Sequence, residues 1–214
     1  MIQVAANLFF ILLILVVAEY AWRRKILRAE RARKAIHISV GTFVAFWPWM
    51  MSWRTIQLIS LAFLVAVVIT RRYQILRSIY FVKRRTYGEE LFAVAVGVCA
   101  LLTTNKAIFT IAILHMALAD GLAAVVGQRV HKKWRFKMFG QQKTLIGSFV
   151  FCFVSVWVIG LGLIFSVAPL NLSPYVYAIA LIPPAATVLE LLSPYGLDNI
   201  VIPLFVLGAL ELLI

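Results

Sequence analysis

Polar residues in this chain gather in short clusters, and long apolar runs separate them. Breaks at charge clusters, prolines and glycines leave eight runs, over residues 3–21, 36–51, 55–70, 90–104, 106–127, 145–167, 175–192 and 200–214. About 20 apolar residues in a helix match the hydrocarbon thickness of a bilayer. Backbone facing lipid has no water to bond to and must satisfy its own polar groups, so these runs predict helices. The runs at 36–51, 90–104 and 200–214 are short for a crossing, and one of them could be re-entrant. No soluble domain fits between the runs. The expected architecture is a single all-α domain over residues 1–214, a polytopic bundle of about eight transmembrane helices. The first run is followed by Arg23-Arg24-Lys25 and preceded by no basic residue, the reverse of a cleavable signal peptide, so it is expected to stay as a helix.

Composition agrees with a membrane protein. Of 214 residues 64% are hydrophobic and 14% charged, and the mean hydropathy is +0.98, values foreign to a soluble domain. Charge then sets the orientation. Seven of the 21 basic residues lie in 22–34, six in 71–87 and six in 128–143, leaving only Arg54 and Lys106 elsewhere. With eight spans these three segments share one side, and the excess of Lys and Arg predicts that this side is cytoplasmic and that both termini are extracytoplasmic. The site is the cell membrane, or the endoplasmic reticulum in a eukaryote. Such a face also attracts anionic lipid headgroups. Nucleic acid is not an expected partner, because no soluble module exists to present a reading element. Cys99 and Cys152 fall within predicted spans without metal-ligand spacing, and packing is their expected role.

The acids are few: Glu19, Glu30, Glu89, Glu90, Asp120, Glu190, Asp198 and Glu211. An ionised acid at a helix centre costs about 2.5–3.5 kcal/mol on insertion scales, so something must offset it. Asp120 lies about two turns before the basic segment at 128, and Asp198 falls in SPYGLDN at 193–199, which the same topology places on the same side. An ion pair with a loop Arg or Lys would account for Asp120 without any function. Ala117, Gly121, Ala123 and Gly127 follow a small-xxx-small spacing that lets helices approach closely. Asp198 alone would suit a turn, and His115 and His131 lack any partner pattern and read as structural. Two carboxylates beside many cations are also the inventory of a phosphoryl- or nucleotidyl-transfer site. There Mg²⁺ takes carboxylate and phosphate oxygens while Lys and Arg neutralise the remaining charge.

Two familiar motifs fail. GQQKT at 140–144 ends like a phosphate-binding loop, but Gln142 stands where Gly should precede Lys143 and no strand is expected to lead into it. DGLAAV at 120–125 resembles the CDP-alcohol phosphotransferase opening, yet Val125 replaces its Arg. Four other segments fit one family together: ERARKAIHISVG (30–41), RRTYGEELF (84–92), ADGLAAVVGQRVHKK with QKTLIGS (119–133 and 142–148), and ELLSPYGLDNIVIP (190–203). In order and spacing they resemble the CTP-dependent lipid kinases, which include dolichol kinase, phytol kinase and the yeast-type diacylglycerol kinase. The DG...KT...GS portion is also similar to phosphatidate cytidylyltransferases. One departure is Ile146, where the family commonly shows Glu; Glu89, Glu90 or Asp198 could replace it.

The resemblance implies CTP as phosphate donor, Mg²⁺ as metal and a membrane lipid alcohol as acceptor: a dolichol, polyprenol or phytol type, or diacylglycerol. It implies Asp120 and Asp198 as metal ligands, and Arg33, Lys34, Gly121, Gly127, Lys143, Thr144, Gly147 and Asn199 as nucleotide and phosphate contacts. Arg33, Lys34, His37 and Gly41 are spaced to share a helix face. His37 or an acid would accept the hydroxyl proton, and Glu190 is either a buried structural acid or a site residue. Glu89 and Glu90 could equally serve as favourable acids in a first helical turn. Two other readings compete with the kinase: a cytidylyltransferase acting on phosphatidate, and a non-enzymatic transporter or scaffold with Asp120 as relay. No midplane acid pair or broken inverted repeat supports the last.

Overall fold

The computed structural model describes residues 2–26, 29–73, 75, 86–129, 134–166 and 172–214. Ten helices lie among them: α1 Ile2–Arg23, α2 Ala29–Ala45, α3 Trp47–Met50, α4 Trp53–Tyr73, α5 Gly88–Leu102, α6 Lys106–His115, α7 Gly121–Gly127, α8 Leu145–Ile164, α9 Leu172–Leu192 and α10 Asp198–Leu213. A five-residue π turn, Met116–Asp120, joins α6 to α7 into one continuous rod, Lys106–Gly127. Among the described residues, five helical segments are long and apolar enough to cross a membrane: α1, α4, the α6–α7 rod, α8 and α9. These are five of the eight expected runs, and the three that are missing are the ones noted as short. The short runs become α2, α5 and α10, of 17, 15 and 16 residues. At about 1.5 Å rise per residue they are roughly 22–26 Å long, less than the hydrocarbon core.

Packing explains why these short helices belong in the bundle. The α6–α7 rod is the axis: 72% of its most apolar window is buried in protein, against 22–33% for the other four long segments. Around it stand α2, α8 and α10, with α5 between α4 and α10, and α9 between α8 and α10. The small-residue spacing works as close packing. A Cβ on Gly41 would lie 2.5 Å from the Ala117 Cβ, and one on Gly121 would overlap Ile38. The largest fully buried side chains include Phe109, Phe151, Ile113 and Met116 on and beside the axis. His115 is fully buried and shares a 2.8 Å hydrogen bond with Ser155 Oγ, so its role in the core is structural. His131 lies outside the described residues.

The helices alternate direction between two ends. At one end α2 begins with Arg33 and Lys34, α4 finishes with Arg71, α5 begins with Glu89 and Glu90, and Arg71 bonds Glu90 at 2.8 Å. At the other, Trp49 hydrogen-bonds Thr110 at 3.1 Å and Lys106 lies over the Trp49 ring. Strands were not expected, yet β1 Arg135–Met138 and β2 Gln141–Thr144 form an antiparallel hairpin at the first end. Its two-residue turn, Phe139 at φ 48° and Gly140 at φ 75°, has the left-handed backbone that tight hairpins require. A strand does therefore carry Lys143, but it runs straight into α8 and leaves no glycine-rich loop between them.

Candidate active site

Three acids from separate helices meet at the Arg- and Lys-rich end. Asp120 closes the π turn, Glu190 stands in the last turn of α9, and Asp198 opens α10. One carboxylate oxygen of each lies within 4.8 Å of the others. A π turn inserts an extra residue into the helical path and re-aims the helix beyond it, a device common at functional sites; here it ends at Asp120.

The chain fixes each acid differently. Asp120 and Lys34 form a buried pair at 2.5 Å, and His37 Nε2 stands 3.5 Å from the same carboxylate oxygen. Lys143 donates to the Glu190 carboxylate and, at 2.9 Å, to the Glu190 backbone carbonyl, tying the hairpin to the end of α9. Asp198 accepts from the Asn199 amide at 3.0 Å and makes no ion pair among the described residues. Burial first, and then the charge of Asp120, push the Asp198 carboxyl up to about 6. Three carboxylates thus face two lysines. That excess of negative charge, with oxygen donors close together, suits a hard divalent cation such as Mg²⁺, which uses few protein carboxylates and completes its shell with water and phosphate.

Asp198 is held in place by the turn before it. Gly196 has φ +92°, and a Cβ there would lie 2.6 Å from the Gly88 amide nitrogen, so only glycine fits. The Tyr87 amide donates to the Tyr195 carbonyl at 2.9 Å, and Asn199 Nδ2 donates to the Gly88 carbonyl at 3.0 Å. The start of α5 therefore clamps the loop that delivers Asp198, a support of the kind that orients metal-binding carboxylates.

Above the acids opens a cavity of about 220 Å³. Asp120, Glu190, Asp198 and Lys34 line it, as do Lys143, Thr144, Gly147 and Ser148 where β2 enters α8. Thr144 caps α8, its Oγ1 accepting from the Gly147 amide at 2.9 Å. Gly127 and Gly147 close around that hydroxyl, each so near that a Cβ would lie 2.8 or 2.7 Å from it. The α8 N-terminus, with its partial positive charge, faces the same space as two lysines, an arrangement that suits phosphate.

Other expected contacts lie elsewhere. Arg33 bonds Glu30 at 2.8 Å and Glu89 at 3.5 Å, so its charge is already neutralised by acids. Glu89 and Glu90 both pair with Arg71 and stay out of the acid cluster, so neither replaces the Glu expected at Ile146. Glu190 is the third acid instead. Gly121 packs on Ile38 rather than on the cavity, and Asn199 lines a second, mostly apolar cavity with His37, Arg33 and Glu89. The polar cavity also takes in Ser148, Gln128, Arg135 and Gln142, which had not been anticipated. Alternation in Arg135-Phe136-Lys137-Met138 ahead of Phe139-Gly140 is the signal that marks the hairpin carrying two of them.

No family model matches the chain, and no solved structure matches it significantly. Among curated proteins it is similar to a phytol kinase from Synechocystis sp., with 31% identity over 198 residues, which cover 89% of this chain and 82% of that protein.

Proposed function

The chain belongs to the lipid-alcohol kinase family of phytol kinase, and from that premise we propose that it transfers the terminal phosphate of CTP to the hydroxyl of a long-chain membrane alcohol. The observation that carries this reading is the meeting of Asp120, Glu190 and Asp198 beside Lys34 and Lys143, at the floor of a polar cavity in a helical membrane protein. The choice of CTP rests on the resemblance of the four sequence segments, and an isoprenoid acceptor on the phytol kinase relative.

In the reaction, the alcohol oxygen bonds to the γ-phosphorus while the bond from that phosphorus to the β–γ bridging oxygen breaks. CDP leaves with the electron pair, and the hydroxyl proton passes to a base, for which His37 and an acid of the cluster are the candidates. Bound Mg²⁺ would offset phosphate charge. Asp120, Glu190 and Asp198 would hold it; Lys143, Lys34 and the α8 N-terminus would hold the phosphates. Positioning and charge neutralisation account for most of the rate, because phosphoryl transfer needs little covalent help from the protein. The site would face the cytoplasm, where the Arg- and Lys-rich segments are expected to lie and where nucleotide is available.

Purified protein in detergent with CTP labelled separately in the γ-phosphate and in the cytidine, plus magnesium, tests this on a panel of lipid alcohols and phosphatidate. Label from the γ-phosphate on the alcohol is the expected result. Cytidine on phosphatidate would mean a nucleotidyltransferase, and no labelled lipid under any condition would remove the enzymatic reading.

A further inference from the structure

The phosphate-transfer mechanism leaves the acceptor without a place, and the second cavity offers one. It holds about 120 Å³ between α1, α2, α4 and α5, and Leu15, Ile36, Val40, Phe63, Val67 and Phe92 give it apolar walls. Besides Glu89 Oε2, which lies 3.6 Å from the Arg71 guanidinium, two acceptors on its lining are buried with no hydrogen-bond donor among the described residues: Asn199 Oδ1, on a residue only 5% exposed, and His37 Nε2. Neither is turned away by chance. Asn199 is held through its Nδ2 on the Gly88 carbonyl. The His37 ring hydrogen-bonds to the Met116 backbone and packs edge-on against Phe92.

Buried acceptors left unpaired cost about 1–3 kcal/mol each, so two of them on the lining of one small cavity, with no donor among the described residues, suit a bound donor. The charged groups on its lining, Arg33 and Glu89, are already paired with each other at 3.5 Å, and the remaining, mostly apolar surface suits a donor without charge. A single hydroxyl on a hydrocarbon chain suits such a lining: its O–H donates to one acceptor while the chain fills the apolar part. Resting on the kinase reading, we infer that this cavity binds the head of the long-chain alcohol, with Asn199 Oδ1 positioning the hydroxyl and His37 Nε2 facing it as proton acceptor. His37 lies in the wall between the two cavities, its Nε2 3.5 Å from the Asp120 carboxylate. An alcohol oxygen at His37 therefore stands next to the place where Asp120 and Lys34 would hold the phosphate end of the nucleotide. As the oxygen bonds to phosphorus, its proton moves to Nε2. The cavity also has a route to lipid. Ala66 at its rim is exposed and Leu15 and Phe63 are half-buried, so the rest of the chain leaves sideways between α1 and α4 into the bilayer.

Two measurements on the full-length protein test this. In the first, a long-chain isoprenoid alcohol with a photoreactive diazirine near its hydroxyl is crosslinked and the adducts are mapped. Adducts on residues 33–40 and 63–70, displaced by excess unlabelled alcohol and not by CTP, are expected; adducts elsewhere, or none, overturn the site. In the second, Ala66→Trp closes the rim at an exposed position, with a melting curve beside the wild type's to check that it folds. The KM for the alcohol should rise at least tenfold while the KM for CTP stays within twofold; an unchanged alcohol KM overturns the assignment. Phosphate transfer with adducts outside the cavity would sink this inference and leave the kinase standing. Adducts in the cavity with no transfer to any alcohol would sink the kinase and leave an alcohol-binding site.

Discussion

At the residue scale, the three acids differ in what their removal exposes. Asp198 has no ion pair among the described residues, so Asp198→Asn deletes a proposed metal ligand without stranding a cation. Its phosphate-transfer rate should fall by about 10²-fold or more, the scale of losing one preorganised electrostatic group, while thermal unfolding in detergent changes by no more than a few degrees. Asp120 is different. Lys34 is 4% exposed and Asp120 5% exposed, and removing one partner of a buried pair costs about 3–5 kcal/mol because the other charge is left alone. Asp120→Asn should therefore lose both activity and stability, and the double change Asp120→Asn with Lys34→Met should recover the melting temperature but not the activity. Near wild-type turnover in either Asp120 variant would take that residue out of the mechanism. The ion pair of Asp120 with Lys34 exists, and because Lys34 is itself placed at the phosphates, Lys34→Met alone is the control that shows how much of the double variant's loss of activity belongs to Asp120.

At the element scale, two short features hold the site, and they were legible to different degrees. The turn Ser193–Leu197 bends at Gly196, whose φ of +92° no other residue adopts cheaply. Gly196→Ala should cost about 1–3 kcal/mol of stability. It should also raise the magnesium concentration needed for half-maximal activity several-fold, since Asp198 moves with the turn; a magnesium titration beside a melting curve checks both. The second feature is the junction of β2 with α8. Loss of the cap in Thr144→Ala should cost about 1 kcal/mol and raise the KM for nucleotide, and Thr144→Ser should restore both, because a hydroxyl at that position again meets the Gly147 amide. The long helices could be read from the apolar runs because lipid demands both length and continuity. So could the meeting of Asp120 with Asp198, because charge placed both on one side. The hairpin was missed because four-residue strands rest on one ladder and a turn, and Phe139 disguises a left-handed position usually given to Asn or Gly. Arg33 was expected at phosphate and Glu190 was left open between a structural and a site acid for a related reason: whether a charge faces phosphate or another side chain depends on contacts such as Arg33 with Glu89, 56 positions away, that no local pattern encodes.

At the scale of the whole molecule, the proposed function joins two cavities at one end of the bundle, one polar and holding acids and lysines, the other mostly apolar with an exposed rim. That division matches a reaction whose two substrates come from different solvents. The same end carries Arg33, Arg71 and Lys143, whereas Lys106 and Trp49 mark the other. If the positive-inside bias governs insertion, every segment near the acids faces the cytoplasm even though α2, α5 and α10 are too short to count as ordinary spans. Single cysteines in a variant lacking Cys99 and Cys152 decide this in intact cells. Arg24→Cys and Lys137→Cys, both exposed at the site's end, should resist a membrane-impermeant thiol reagent until the membrane is opened. Thr104→Cys, exposed at the far end, should react at once. The reverse pattern would put the nucleotide cavity outside the cell, where neither CTP nor its regeneration is at hand, and the kinase reading would fall with the topology although the acid cluster itself stayed intact.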